Sequence, residues 1–239
     1  MRDTVYFVEA VPAQCAQMLS RSEVDVALVP IIEYQRIPYG SLIPDVCVGS
    51  KEEVRSVVLV SRKSELASIR SVALDESSRT SATLIKIIFQ EFLEVNPDWT
   101  VHSPNLNEML EQYDAALMIG DPAMVFPRTD LKVWDLARLW RNYTGLGFVF
   151  AMWMVRDEAV ERARVVDFAA ARDEGLRSKQ DIVDYYHKVL GLPHDSLQDY
   201  LDNNICFAVD SQLRAGVDLY FQLAEKHGLI EQVKVWKTV

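Results

Sequence analysis

The sequence VALDESSRTSATL, residues 72–84, carries the local pattern on which the fold prediction depends. Its first residues are apolar enough for a buried strand, its hydroxyl-rich middle predicts a turn, and the apolar positions that follow recur near helical spacing. The same order of strand, loop and helix occurs elsewhere in the chain. Strands that alternate with helices are typical of α/β proteins with parallel strands. We therefore predict an α/β fold with mixed, mainly parallel sheets and a helical C-terminal tail.

The elements predicted on either side of this stretch suggest two lobes. Strands are predicted at 5–8, 24–29, 54–61, 100–102, 115–119 and 147–155, and helices at 12–20, 81–94, 105–112, 158–175, 179–190, 196–203 and 210–227. We expect residues 1–61 plus 147–239 to form one lobe and residues 62–146 to form a second, inserted lobe. Two hinge strands, at 56–61 and 147–153, would join them.

The composition excludes several classes of partner. The chain has 239 residues, with 25 Lys and Arg against 35 Asp and Glu, which gives a net charge of −10. Such an acidic chain has no electrostatic attraction for nucleic acid or for an anionic membrane. The spacing of its cysteines and histidines fits neither a disulfide framework nor a metal site. The start lacks a signal-like segment and no apolar run is long enough to span a membrane, so we expect a cytoplasmic protein.

The turn after residue 75 is the first candidate binding site. The first turn of a helix leaves backbone N–H groups unpaired and carries partial positive charge, which favours a carboxylate or a phosphate. Ser78, Thr80 and Ser81 can add hydroxyl donors there, and Arg79 can add charge. Alternatively, Thr80 or Ser81 only caps the helix.

Two further segments contain candidate site residues. In ALMIGDP, residues 116–122, Gly120 and Asp121 follow a predicted buried strand, at the end where open α/β sheets bind ligands. Asp121 could orient a substrate hydroxyl or only cap the next turn. In YTGLGFVFAMW, residues 143–153, two glycines fit a crossing between lobes. Asp25 and Glu33 are general acid or base candidates if they are buried in a cleft, although such residues more often pair with a nearby arginine.

Five segments in this order resemble one family. They are VDVALVPIIEY (24–34), RSVVLVS (55–61), LDESSRTSATL (74–84), LMIGDPAM (117–124) and DLARLWRNYTGLGFVFAMW (135–153). Together they are similar to the chorismate dehydratases of the futalosine route to menaquinone, which are relatives of type II periplasmic binding proteins. Each motif is weak alone, and the combination is specific.

The resemblance implies a two-lobed fold whose cleft binds chorismate, a small dicarboxylate. Such an enzyme eliminates water to give 3-[(1-carboxyvinyl)oxy]benzoate without a metal or redox cofactor. By the same resemblance, Ser56 and the Thr80–Ser81 helix start are carboxylate binders, and Asp121 and Thr144 border the cleft. No histidine or glutamate in these segments fits the role of general base, and a substrate carboxylate is a candidate for it. Two alternatives stay open, a non-catalytic binding module for a small carboxylate and the sister dihydroxynaphthoate synthase.

The sequence departs from the family pattern at two places. Family members generally begin with another strand that carries a Ser-Tyr-Leu-Asn-like motif, so the first lobe of this chain is expected to lack that strand. The family usually has T-G-L-P-F, and Gly147 stands where the proline is expected. Because glycine is conformationally permissive, we expect this change to loosen the hinge.

Overall fold

A computed structural model describes residues 5–239 as two β-sheets with helices packed around them. One sheet has three strands and the other has five. The strands are β1 (Val26–Pro30), β2 (Ser41–Ser50), β3 (Val57–Ser61), β4 (Ser71–Asp75), β5 (Asp98–His102), β6 (Ala115–Ile119), β7 (Lys132–Asp135) and β8 (Phe148–Val155).

Helices connect the strands and make up most of the C-terminal region. The α-helices are α1 (Pro12–Ser20), α2 (Glu33–Arg36), α3 (Thr80–Ile87), α4 (Leu106–Gln112), α5 (Asp121–Val125), α6 (Leu136–Thr144), α7 (Val160–Ala163), α8 (Phe168–Arg177), α9 (Lys179–Leu190), α10 (His194–Asp199) and α11 (Ser211–Lys226). A π-helical turn continues α3 over Ile88–Phe92, and another continues α10 over Tyr200–Asn204. Between residues 5 and 239, none of the helices combines the length and apolar character that crossing a membrane requires.

The longest helix, α11, shows how local sequence sets its ends. The Asp210 side chain accepts a hydrogen bond from the backbone N–H of Leu213 at 2.9 Å and so caps the first turn. At the other end Gly228 has φ of +66°, and the N–H of Leu229 donates to the carbonyl of Ala224 at 2.8 Å. Glycine adopts this left-handed conformation without strain, so it ends the helix. The predicted helix at 210–227 and its glycine cap are confirmed.

In the three-stranded sheet, β8 lies between β1 and β2 and is antiparallel to both. The C-terminal segment closes part of the outer edge of β2. The N–H of Leu42 donates to the carbonyl of Lys237 at 2.8 Å, and the N–H of Val239 donates to the carbonyl of Leu42 at 3.3 Å. The tail therefore pairs part of an edge that would otherwise present unpaired backbone groups.

The five-stranded sheet has the order β5-β4-β6-β3-β7 and mixed strand directions. Strand β4 is parallel to β5 and to β6, whereas β3 is antiparallel to β6 and to β7. The α/β class and the mixed sheets are confirmed, but the expectation of mainly parallel strands is wrong. Two of the six strand pairings between residues 5 and 239 are parallel. Parallel neighbours need a long crossover, and here α3 and α4 provide one for β4, β5 and β6 alone.

The strand predicted at residues 5–8 is wrong. These residues belong to neither sheet, and the side chains of Tyr6 and Phe7 are 95% and 68% exposed. β-Propensity describes a fit to a pleated, half-buried surface. Without a neighbouring strand to pair with, the apolar sequence VYFV does not become a strand.

The single helix predicted at 158–175 is also wrong. The chain forms the short α7, leaves the helical path at 164–167, and begins α8 after Asp167. The Asp167 side chain accepts a hydrogen bond from the N–H of Ala170 at 2.9 Å, which starts a new helix at this point.

The sequence interpretation missed strand β2. Pro44 and Asp45 interrupt its apolar pattern, and Asp45 has φ of +62°. The pairing with β8 shifts register between Leu42 and Cys47, so these residues form an irregularity inside a long strand. Proline and aspartate within an apolar run argue against a strand when the sequence is considered alone.

The largest of three hydrophobic clusters within residues 5–239 contains residues of both sheets and joins them. At its centre the ring of Phe148 lies 5.5 Å from Trp140 and 5.1 Å from Tyr220, in edge-to-face geometry. These three aromatic side chains come from β8, α6 and α11 and are fully buried. Strand β8 and helices α6 and α11 are therefore packed against one another.

Candidate functional site

Three of the predicted segments meet at one edge of the five-stranded sheet. Strands β4 and β6 are parallel neighbours, so the turn after β4 and the Gly120–Asp121 segment leave the sheet side by side. On the other side of β6, Val57 pairs with Ile119, and the N–H of Gly120 donates to the carbonyl of Ser56 at 2.8 Å. The turn after β4, the Gly120–Asp121 segment and Ser56 thus lie side by side at the ends of three neighbouring strands. We call this row of residues the border.

The turn between β4 and α3 is held by the buried carboxylate of Asp75. Its Oδ1 accepts hydrogen bonds from the N–H of Ser77 at 2.9 Å and from the Ser77 hydroxyl at 2.6 Å. The N–H of Ser78 donates to the Asp75 carbonyl at 2.9 Å. The Ser78 hydroxyl is buried and has no hydrogen-bond partner among residues 5–239. Burying a hydroxyl without a partner costs free energy, so this group is available to bind a ligand.

The structure does not support simple capping by Thr80 or Ser81. The cap position belongs to Arg79, which is exposed, and Thr80 and Ser81 lie buried in the first turn of α3. The Thr80 hydroxyl accepts a hydrogen bond from the N–H of Ile32 at 3.3 Å, and its carbonyl accepts one from the Tyr220 hydroxyl at 3.0 Å. These bonds fix the start of α3 against the residues that follow β1.

Gly120 and Asp121 form the next part of the border. Gly120 has φ of +66° and ψ of −149°, a conformation that glycine adopts readily. Asp121 is the first residue of α5 and its side chain is exposed. The Asp121 side chain is therefore accessible to a ligand from solvent.

A cavity of about 130 Å³ lies beside this border. Its polar lining comes from Ser56, Gly120, Asp121 and Tyr200. Its apolar lining comes from Met124 and from helical residues of the C-terminal region, which are Ile182, Val183, Tyr186, Leu190, Leu197 and Leu201. The cavity can therefore hold a ligand with both an apolar body and polar groups.

Thr144 lies outside the lining of this cavity. Its hydroxyl donates to the carbonyl of Trp140 at 2.7 Å and accepts from the N–H of Leu146 at 3.1 Å. The hydroxyl thus holds the turn that ends α6. The structure brings Ser56, Gly120 and Asp121 together in one cavity and gives Thr144 a local bonding role.

The other acidic candidates are bound to arginines. The Asp25 carboxylate lies 2.8 Å from Arg156 and 2.8 Å from Arg162, and hydrogen bonds from these guanidinium groups lower its pKa. Glu33 pairs with Arg36 at 2.8 Å. Both carboxylates therefore pair with arginines, which the sequence analysis considered as the alternative to acid–base catalysis.

The family is shown by similarity over most of the chain. A family model described as menaquinone biosynthesis matches residues 2–226. The chorismate dehydratase of Thermus thermophilus is 33% identical over 215 residues, which cover 82% of this chain and 78% of the relative. The chain belongs to this menaquinone biosynthesis family. The chorismate dehydratase of Campylobacter jejuni is 24% identical, over 86% of this chain and 78% of the relative.

Solved structures confirm the periplasmic-binding-protein-like fold for this family member. The periplasmic aliphatic sulphonate binding protein of Escherichia coli matches with a TM-score of 0.58 at 14% identity, over 97% of this chain and 82% of that one. A Candida albicans protein with the generic periplasmic binding protein fold matches with a TM-score of 0.62 at 13% identity, over 96% and 82%. At such low identity the similarity concerns the fold alone.

Sequence reasoning missed Tyr200, which lines the cavity, and Asp135, which binds the backbone just before Ser56. Tyr200 donates from its hydroxyl to the Ser56 hydroxyl at 2.9 Å. Asp135 accepts hydrogen bonds from the N–H groups of Val54, Arg55 and Arg138, and its burial raises its pKa. For Asp135 the available signal was an aspartate directly before LARLWRNYT, residues 136–144, a segment that the sequence analysis did not assign to a helix. Nothing in the local sequence of Tyr200 places it next to a residue 144 positions earlier.

Proposed function

We propose that this protein dehydrates chorismate to 3-[(1-carboxyvinyl)oxy]benzoate and is thus a carbon–oxygen lyase. The observation that carries the proposal is its 33% identity to a chorismate dehydratase over 78% of that enzyme's length. Membership of the menaquinone biosynthesis family agrees with this activity.

The border provides the hydrogen-bond donors that a dicarboxylate requires. The Ser78 hydroxyl is buried and unpaired within the described part of the chain, and it lies just before the positive end of α3. With a net charge of −10, the protein has no overall field that attracts a dianion. Binding must therefore depend on local hydroxyl and N–H groups, and we assign one substrate carboxylate to Ser78, Thr80 and Ser81, with Arg79 at the rim.

The second part of the substrate belongs to the cavity in this proposal. Ser56 donates a hydrogen bond to a substrate carboxylate, Gly120 lets the ligand approach the backbone, and Asp121 accepts a hydrogen bond from the substrate hydroxyl and so orients it. The apolar walls limit water around the ring. The border and the cavity together hold the ring in one orientation.

Dehydration then needs the loss of one ring proton and of the neighbouring hydroxyl group. The C–H electron pair becomes part of the ring π-system as the C–O bond breaks, so water leaves and the ring becomes aromatic. The fixed orientation of the substrate and the dipoles of the nearby hydroxyl and N–H groups assist this step. Asp25 and Glu33 are paired with arginines, so we infer that a carboxylate of the substrate takes the ring proton and passes it to the departing hydroxyl group, which leaves as water.

The lobe division supports the same location for the site. We propose that residues 1–61 plus 147–239 and residues 62–146 form two lobes, with residues 1–4 outside the described residues. Strand β3, at the boundary, is paired into the five-stranded sheet. The hydrogen bond from Ile32 to Thr80 joins the residues after β1 to the start of α3. The substrate would bind where the two lobes face each other.

Chorismate turnover by the purified protein tests this proposal. The ultraviolet absorbance of chorismate should fall, and mass spectrometry should find a product lighter by one water. Stabilisation by chorismate without turnover would instead favour the binding module, and no effect of chorismate would contradict both. Neither the binding module nor dihydroxynaphthoate synthase is favoured, since the relatives from Thermus thermophilus and Campylobacter jejuni are both chorismate dehydratases.

A further inference from the structure

Two hydroxyl groups from distant parts of the chain meet at the wall of the cavity. Tyr200 opens the π-helical turn that continues α10, and Ser56 immediately precedes β3. The two oxygens are 2.9 Å apart. Both residues line the cavity, so this pair is in contact with the space that a ligand would occupy.

The neighbouring acceptors determine which hydroxyl can donate to a ligand. The Ser56 hydroxyl has one alternative acceptor, the carbonyl of Val54, at a long distance of 3.4 Å. When Tyr200 donates to Ser56, the Ser56 proton is free to turn away from Val54 and towards the cavity. Hydrogen bonds in such a chain polarise one another, so the Ser56 donor becomes stronger.

The surroundings of Tyr200 favour this direction of the bond. The phenol is largely buried, and desolvation raises its pKa, which keeps the hydroxyl protonated at neutral pH. Tyr200 also packs against the hydrophobic cluster that contains residues of both sheets. The ring is thus held in place independently of its hydroxyl.

We propose that Tyr200 is a positioning residue of the substrate site, which directs the Ser56 hydroxyl proton to a carboxylate of the bound substrate. This inference rests on the proposed function and extends it to the C-terminal helices, since Tyr200 and much of the cavity wall come from that region. Tyr200 itself acts through Ser56.

A double-mutant cycle on chorismate turnover tests the role of Tyr200. Tyr200→Phe keeps the ring and removes the hydroxyl, and Ser56→Ala removes its partner. We expect Tyr200→Phe to raise KM about threefold to tenfold and to leave kcat nearly unchanged, because one hydrogen bond is weakened in both the ground and transition states. In the Ser56→Ala background the same substitution should have no further effect on KM.

Tyr34→Phe is the matched control. The Tyr34 hydroxyl lies 2.7 Å from the carbonyl of Val235 and 2.7 Å from the N–H of Lys237, so it anchors the C-terminal tail outside the cavity. This control should lower the melting temperature without changing KM. If Tyr200→Phe behaves like the control, or if its effect on KM persists in the Ser56→Ala background, the proposed role is wrong. Absence of turnover by the unmodified protein would overturn the proposed function itself, and with it this role.

Discussion

A β-carbon on Gly216 would overlap the backbone carbonyl of Gly147. Gly147 is also confined, because a β-carbon there would lie 2.8 Å from the Leu213 side chain and 3.1 Å from the carbonyl of Ser50. Helix α11 thus packs directly on the backbone where β8 begins. The sequence-based expectation was a looser hinge at Gly147, whereas the structure shows that the two glycines allow close packing at this point.

Gly216→Ala should therefore destabilise the protein by about 1–3 kcal/mol or more, since the clash is with backbone that cannot move alone. Chemical denaturation measures this change. Gly175→Ala is the control, because Gly175 also lies in a helix and a β-carbon there meets nothing within 4 Å. The control should stabilise the protein by about 0.5–1 kcal/mol. Equal effects of the two substitutions would contradict the close packing.

Ser78→Ala should separate ligand binding from stability. The Ser78 hydroxyl is buried and makes no hydrogen bond within residues 5–239, so its removal should leave the free energy of unfolding unchanged or raise it by up to about 1 kcal/mol. Chorismate binding, followed by calorimetry, should weaken about tenfold because the carboxylate loses a donor.

Ser61→Ala is the control, and its expected effects on stability and on chorismate binding are the reverse of those of Ser78→Ala. The Ser61 hydroxyl is fully buried, donates to the carbonyl of Asp114 at 2.6 Å and accepts from the N–H of Lys63 at 2.9 Å. Its loss should destabilise the protein by about 1–3 kcal/mol and leave the affinity for chorismate unchanged. A Ser78→Ala variant that loses stability and keeps its affinity would refute the assignment.

Asp121→Asn should reduce kcat/KM for chorismate about tenfold to hundredfold, since the carboxylate that accepts from the substrate hydroxyl becomes neutral. Because Asp121 is exposed, the melting temperature should hardly change. Asp98→Asn serves as the control, as Asp98 is also exposed and begins β5 at the opposite end of the same sheet. Unchanged steady-state kinetics for Asp121→Asn would exclude it from the site.

The ion pairs of Glu91 predict that the folded protein loses stability in acid. Its carboxylate lies 2.7 Å from the Lys226 ammonium and 2.7 Å from the His227 ring, and these hydrogen bonds lower its pKa below the usual 4.5. A carboxyl whose pKa is lower in the folded protein than in the unfolded chain contributes stability above pH 4.5 and loses it as pH falls through the folded pKa.

Urea denaturation across this range should show that Glu91→Gln is less stable than the parent by up to about 1 kcal/mol near neutral pH and equal to it in strong acid. Glu161→Gln removes the exposed pair with Arg164 and should change little at any pH. A difference for Glu91→Gln that stayed constant with pH would rule out ionisation as its cause.

Local sequence accounts for much of the fold because the relevant interactions are local. The alternation of strand and helix at 72–119 agrees with β4, α3, β5, α4 and β6, and the caps of α11 are read directly from Asp210 and Gly228. Apolar periodicity and capping depend on neighbours within a few residues. Predictions of this kind need no knowledge of the rest of the chain.

The pairing of strands was harder to predict from the sequence. Residues 5–8 have the composition of a strand and belong to neither sheet, whereas β2 contains Pro44 and Asp45 and still pairs with β8. A strand is completed by hydrogen bonds to another strand, and the sequence of one strand does not identify its partner. The directions of β3 and β8 were missed for the same reason.

Contiguous motifs were enough to indicate the family, the α/β class and the border residues Ser78 and Asp121 as candidates, since each of these follows from neighbours in the chain. The folded structure was needed to find that Thr144 holds a turn, that Gly216 meets Gly147, and that Tyr200 lies against Ser56. The physical reason is that most of these contacts join surfaces of separate elements. Their distances depend on how the helices pack on the two sheets, and that packing is a property of the folded chain as a whole.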